Sequence, residues 1–237
     1  MRRLLVFLTP LALLTMALGS IAITAASVVY FDEDELAPFV IEKLPLPLED
    51  VWLVALQVHV VSAAFALPAC LLLLSKTLLR RTPGLHRWLG RMTGGVGLLA
   101  LAPSGFYLSL FAKGGLLSTL GFMLSGVIVV VAMVQGVRTA RQGQHAAHRR
   151  CSLHVLAQLS VAVTSRAMLF LFDAVNVDAD TAYLISLWLP VVGSAGAVEL
   201  LVSRTNPLTL SWRNHEAHSG TRLAPHHSPG LRDAAGV

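Results

Sequence analysis

Six apolar runs divide the chain: Leu4 to Tyr30, Val51 to Leu74, Met92 to Ala112, Leu116 to Val137, Ser152 to Val175 and Ala182 to Val202. Each is about 20 residues or longer, the length at which a helix crosses a hydrocarbon core about 30 Å thick. Helices are the spanning form such runs predict, because no water is present in hydrocarbon to satisfy a backbone. The pattern therefore predicts an all-α bundle of six transmembrane helices over 1–203, followed by a polar, disordered tail over 204–237.

The fifth run departs from uniform apolarity. Counted at about 100° per residue from His154, the side chains of Gln158, Ala162, Ser165, Arg166, Leu169 and Asp173 fall in a sector of roughly 120°. Leu156, Leu159, Val161, Val163, Met168 and Leu171 supply the other faces. An arginine about 14 residues into such a helix, roughly 21 Å along its axis, calls for a partner, a cavity or a ligand.

The other segments carry smaller departures. In the second, His59, Ala63, Ala66 and Cys70 share a narrow face whose small residues allow close helix approach or leave room for a flat cofactor. The third is rich in glycine, and Pro103 predicts a kink. Thr82-Pro83 predicts an N-cap and first helical residue, which puts His86 in the first turn of an extension leading into that third segment. Gly121 and Ser125 give the fourth helix a small patch. Leu44-Pro45-Leu46-Pro47-Leu48 reads as an extended connection. MRR followed by an apolar run resembles a secretory signal, but about 25 apolar residues exceed a signal h-region of 7 to 15, so a retained helix is expected.

Composition agrees with the pattern. Hydrophobic residues make up 55% of the chain and charged residues 13%, against about a quarter charged in soluble proteins. The net charge of +5 is unevenly placed. Arg2 and Arg3, then Lys76, Arg80, Arg81, Arg87 and Arg91, then Arg138, Arg141, Arg149 and Arg150 occupy alternate connections. Asp32, Glu33, Asp34, Glu35, Glu49 and Asp50, then Asp178 and Asp180, occupy the others apart from Lys113. The positive-inside rule then puts both termini in the cytoplasm, and the basic charge is a topology signal rather than a nucleic-acid footprint. Cys70 and Cys151 fall near cytoplasmic helix ends, which argues against a disulfide. His215, His218, His226 and His227 in the tail read as solvated or as a metal-binding tract. There is no catalytic triad, nucleotide loop or zincin motif.

The ligating residues sort into two layers. His59, Arg166 and Asp173 form the outer one, with His59 and Arg166 each about 12 Å below the outer boundary. They form either a buried polar pair neutralised by Asp173, or an axial haem ligand beside an arginine for a propionate or an anionic substrate. A second outer histidine is missing, and Met123 or Met168 would have to substitute. The inner layer holds His86, Arg87, Arg91, His145, His148, Arg149, Arg150, His154 and Glu199. His86 with His148 or His154 would supply two imidazoles from two helices, with Arg87, Arg91 or Arg150 on the propionates; the alternative is an interfacial basic cluster that attracts anionic headgroups. His148 and His154, six residues apart, point to different faces.

His59, then Leu85-His86-Arg87-Trp88-Leu89-Gly90-Arg91, then Ala147-His148-Arg149-Arg150, Arg166 and Glu199 together resemble the bacterial multipass family called domain of unknown function 2306, over about Val51 to Arg204. Cys151-Ser152 stands where the family has Trp-Met, and His154 where an arginine is expected, which separates His154 from the family pattern. The resemblance implies a multipass membrane bundle. Its histidine layout is similar to that of transmembrane b-type cytochromes, which implies haem b, one-electron transfer and an electron donor, acceptor or quinone as partner in the bilayer. The rival expectation is a non-redox protein, a small-solute or proton transporter or an assembly factor, built on a His59, Arg166 and Asp173 cluster.

Overall fold

Prolines, glycines and charged connections set where each helix ends. A computed structural model describes residues 2–32, 38–46 and 48–205, of which 2–10, 38, 39, 42, 204 and 205 are described by their backbone alone. The expectations for Glu33, Asp34, Glu35, Pro47 and the tail histidines lie outside the described residues.

Helix α1 runs Arg2–Ala26 and continues as a 3-10 turn, Ser27–Phe31. The short α2, Pro38–Lys43, precedes α3, Glu49–Leu73, and the short α4, Lys76–Arg81, precedes α5, Pro83–Val96. A π turn, Gly97–Leu101, leads into α6, Ala102–Ser109. Then come α7, Gly115–Arg141, α8, His145–Ala174, and α9, Ala179–Thr205. No strand occurs among the described residues. The chain falls into two units, Met1–Val198 and Glu199–Val237. In the second, the described residues are helical to Thr205 and Glu199 is half-buried.

Five stretches are long and apolar enough to cross a membrane: Leu11–Phe31, Glu49–Leu73, Gly115–Arg141, His145–Ala174 and Ala179–Ser203. The third predicted run, Met92 to Ala112, is helical but broken into three pieces. Pro103 has no N–H to donate to Leu99, and its ring would crowd that carbonyl in a regular α-helix. The widened turn just before it relieves the conflict, with Ala102 N–H donating to the Gly97 carbonyl five residues back. The expected kink is thus a π turn. Pro83 occupies the first turn of α5 as the sequence predicts, but Thr82 does not cap with its side chain; its hydroxyl donates to the Leu78 carbonyl at 3.1 Å. The α2 helix falls in a connection that the apolar pattern leaves as coil.

Packing explains the apolar pattern from the inside. Cys70 of α3, Val129, Ala132 and Met133 of α7 and Val155 of α8 form one core cluster, and both cysteines are free. At the end of the bundle near Glu49, Val40, Trp52 and Leu56 pack with Tyr30, Tyr107 and Phe111, an aromatic-rich layer of the kind found at a membrane boundary. Lys43 Nζ donates to the Phe111 carbonyl at 2.7 Å and Gln57 Nε2 to the Tyr30 carbonyl at 3.0 Å, closing that end. Meanwhile Leu99, Leu116, Phe170 and Leu171 point outward. In water such a surface would aggregate, whereas in lipid it is the required one. The chain is a helical membrane protein.

The patch at Gly121 and Ser125 meets α9. A Cβ at Gly121 would lie 2.8 Å from Leu187 Cδ2, so any larger residue there forces the Leu187 side chain to shift. Gly121→Leu is expected to destabilise by about 1–3 kcal/mol through overpacking, read as a lower melting temperature in detergent. An unchanged melt would show that α7 and α9 do not pack there.

Candidate functional site

Two sets of polar side chains sit at opposite ends of the bundle, and a third lies between α7, α8 and α9. The end carrying Arg80, Arg87, Arg138 and Arg149 is called the basic end below.

At the basic end, α5 delivers His86 from its first turn and α8 delivers His148 from its own. The α7–α8 turn uses Gly143 at φ 69°, which returns α8 directly along α7. His148 Nδ1 therefore lies 2.8 Å from the Gly136 carbonyl of α7. A carbonyl only accepts, so Nδ1 carries the proton and Nε2 of the neutral ring keeps its lone pair. His86 is close enough for the two charged rings to repel, and its Nδ1 is buried without a hydrogen-bond partner. Burial, and then the neighbouring His148, hold the His86 imidazole below the ordinary histidine value.

Such a group binds its proton more readily in the unfolded chain. Stability is therefore full above the unfolded value near 6.5 and declines as pH falls from there toward the folded value. Melting the apoprotein between about pH 8 and pH 5 should show a steeper acid decline for the parent than for His86→Gln. Parallel curves would count against the contact.

Arg87 and Arg91 follow His86 and are exposed, as is Arg149 beside His148. His154 is half-buried on α8 and its six-residue offset turns it about 120° away from His148. Glu199 belongs to the C-terminal unit.

Toward the other end, His59 of α3 packs on the interrupted third helix. The Ser104 hydroxyl donates to the Ala100 carbonyl at 2.6 Å, so at 3.3 Å the His59 Nδ1–H is the donor to Ser104 Oγ. The ring also meets the Leu101 backbone, and a Cβ at Gly105 would lie 3.1 Å from its Cε1. The π turn and Gly105 thus form the seat of His59. Arg166 of α8 is near enough for its charge to act on His59, but its Nη1 donates to the Ala162 carbonyl of its own helix at 3.0 Å. No hydrogen bond joins the two residues whose depths match in the sequence; only the charge of Arg166 reaches His59. Asp173 is exposed, and no contact joins it to Arg166.

The single polar face expected for α8 divides between neighbours. Gln158 is 3% exposed: its Oε1 accepts from Ser125 of α7 at 2.9 Å, and its Nε2 donates to the Val191 carbonyl and Ser194 Oγ of α9 at 3.0 and 3.2 Å. Arg166, eight residues on and rotated by about 80°, faces α1. Gln158 is therefore a structural hub, a role the α8 wheel does not show and the Ser125 patch does hint at.

The donor set at the basic end fits a haem iron. Two imidazoles come from different helices, one with its tautomer fixed by a backbone carbonyl, as is usual for ligating histidines, and one with a buried nitrogen lacking a protein partner. Among the described residues no group of three or more His, Cys, Asp or Glu converges on one point.

A family model described as "Predicted membrane protein (DUF2306)" matches residues 56–202. No curated protein and no solved structure matches the chain.

Proposed function

This chain belongs to the DUF2306 family of predicted membrane proteins, and on that premise we propose that it is a haem-b protein passing single electrons within a bacterial inner membrane. In this reading the chain crosses six times, the helix interrupted at Gly97–Leu101 being the third crossing, and the basic end with both termini is cytoplasmic. His86 and His148 would hold the iron. The observation that supports the reading is a pair of histidines on two helices at one end, near enough for their charges to interact, with His148 Nδ1–H already given to Gly136.

The bound group would supply a one-electron couple at its iron. The chain's own residues do the rest. Gly136 fixes the His148 tautomer and raises the basicity of its other nitrogen. Arg87, Arg91 and Arg149, exposed beside the two histidines in sequence, would offer guanidinium groups to anionic propionates, and their charge would favour the reduced state. His59, seated on Ser104, lies toward the opposite end of α3 and takes no part in this pair. The electron donor or acceptor, a quinone or a protein, approaches from the bilayer or the cytoplasm. Purified protein with haem supplied during expression should carry about one haem per chain by pyridine haemochrome, the stoichiometry one axial pair can hold; a colourless preparation removes the proposal.

The non-redox alternative, a transporter or assembly factor built on His59 and Arg166, draws on the charge of Arg166 reaching His59. It requires no colour, which separates the two readings.

A further inference from the structure

We propose that the groove between α1 and α8 binds a single-chain amphiphile with a carboxylate head, in chemical class a free fatty acid, its head on Arg166 and its chain along α1. The groove is open along one side, offers a volume of about 590 Å³ and is lined by Thr15, Gly19, Ala22 and Ala26 of α1 and by the exposed Arg166 and Ala167 of α8. That volume lies within the range of small-molecule sites, about 300–1,000 Å³. A Cβ at Gly19 would fall on Val163, so the helices touch at that level and part beyond it.

The position of the guanidinium selects the occupant. Arg166 lies eight residues before the end of α8 at Ala174, about 12 Å inside the helix end. A lipid-facing arginine normally extends its head toward the interface. Here Nη1 instead donates to Ala162, one turn back toward the start of α8, so the charge stays at depth. A guanidinium has five N–H donors and no acceptor. Its near neighbour His59 is no counter-ion, and Asp173 makes no contact with it. An arginine left so in hydrocarbon is disfavoured by about 2.5–3.5 kcal/mol on insertion scales. A small inorganic anion would have to leave water to reach it, whereas an amphiphile dissolved in the bilayer brings its head there. A carboxylate matches the guanidinium fork in bidentate fashion. A phospholipid phosphate stays at the interface, and the groove runs along one helix, as one chain would. The site stands apart from His86 and His148, so it holds or fails independently of haem.

The test is binding of radiolabelled palmitate to the full chain in phosphatidylcholine nanodiscs, with hexadecanol as the uncharged probe. Parent protein should bind palmitate saturably at about one per chain, and Arg166→Gln should weaken it at least tenfold, the loss of one charge-assisted contact. Ala22→Phe, which fills the groove and leaves the guanidinium intact, should also abolish binding and decides the matter if Arg166→Gln does not fold. The proposal is overturned if both variants bind palmitate like the parent, or if hexadecanol competes equally. Displacement of palmitate by phosphatidylglycerol at equal mole fraction also overturns it, because a bilayer phospholipid would then be the occupant.

Discussion

His86→Ala and His148→Ala, each expressed with ample haem, should lose the Soret band and most of the bound haem, whereas His59→Ala should keep both. The reason is geometric. A six-coordinate haem held by two imidazoles loses half of its protein ligation with either residue, while the His59 ring is committed to Ser104 and the interrupted third helix. His148→Ala should do more than His86→Ala to the fold, since it also removes the 2.8 Å bond that ties α8 to the Gly136 carbonyl of α7, leaving that carbonyl only its partners within α7, the Thr139 hydroxyl at 3.1 Å among them. Absorption and haemochrome assay of the three variants, with circular dichroism to confirm folding, read this out. Haem retained by both inner-layer variants would move the ligands elsewhere.

Gln158→Ala is expected to be the most damaging single change to stability among the polar residues. Gln158 joins three helices through hydrogen bonds to Ser125, Val191 and Ser194. Interhelical hydrogen bonds in membranes average about 0.6 kcal/mol each, so three amount to about 2 kcal/mol. Gln158→Leu should lose that much, and Gln158→Ala about 3–4 kcal/mol because a cavity is added at a buried site. Unfolding in mixed micelles gives both values. A Leu variant as stable as the parent would mean the hub contributes packing alone.

These two results also mark what could be read in the chain before its fold was known. Five of the six expected spans were legible because length and apolarity alone decide them, and Pro103 announced the break in the remaining run. That the break would be a π turn holding His59 was not legible, since it depends on the Ser104 hydroxyl and Gly105 facing another helix. Depth counting gave His59 and Arg166 similar heights, because helical rise converts sequence position to height, and the charge of Arg166 does reach His59 without a bond between them. Azimuth was harder. The wheel grouped Gln158 with Arg166 and Asp173, yet about 80° of rotation sends Gln158 to α9 and Arg166 to α1, and no sequence pattern states which neighbour lies where. The nearness of His86 and His148 likewise depends on the tight return at Gly143 and on where the first turn of α5 sits. The six-residue α2 is too short to register as a period.

The most direct measurement is a reduced-minus-oxidised absorption spectrum of the purified, detergent-solubilised protein. Two axial imidazoles predict a low-spin b-type difference spectrum, with sharp α and β bands and a Soret shift, that disappears in the His86→Ala, His148→Ala double variant. A flat difference spectrum from folded protein expressed with ample haem would contradict haem binding and return both histidines to the basic, lipid-facing cluster.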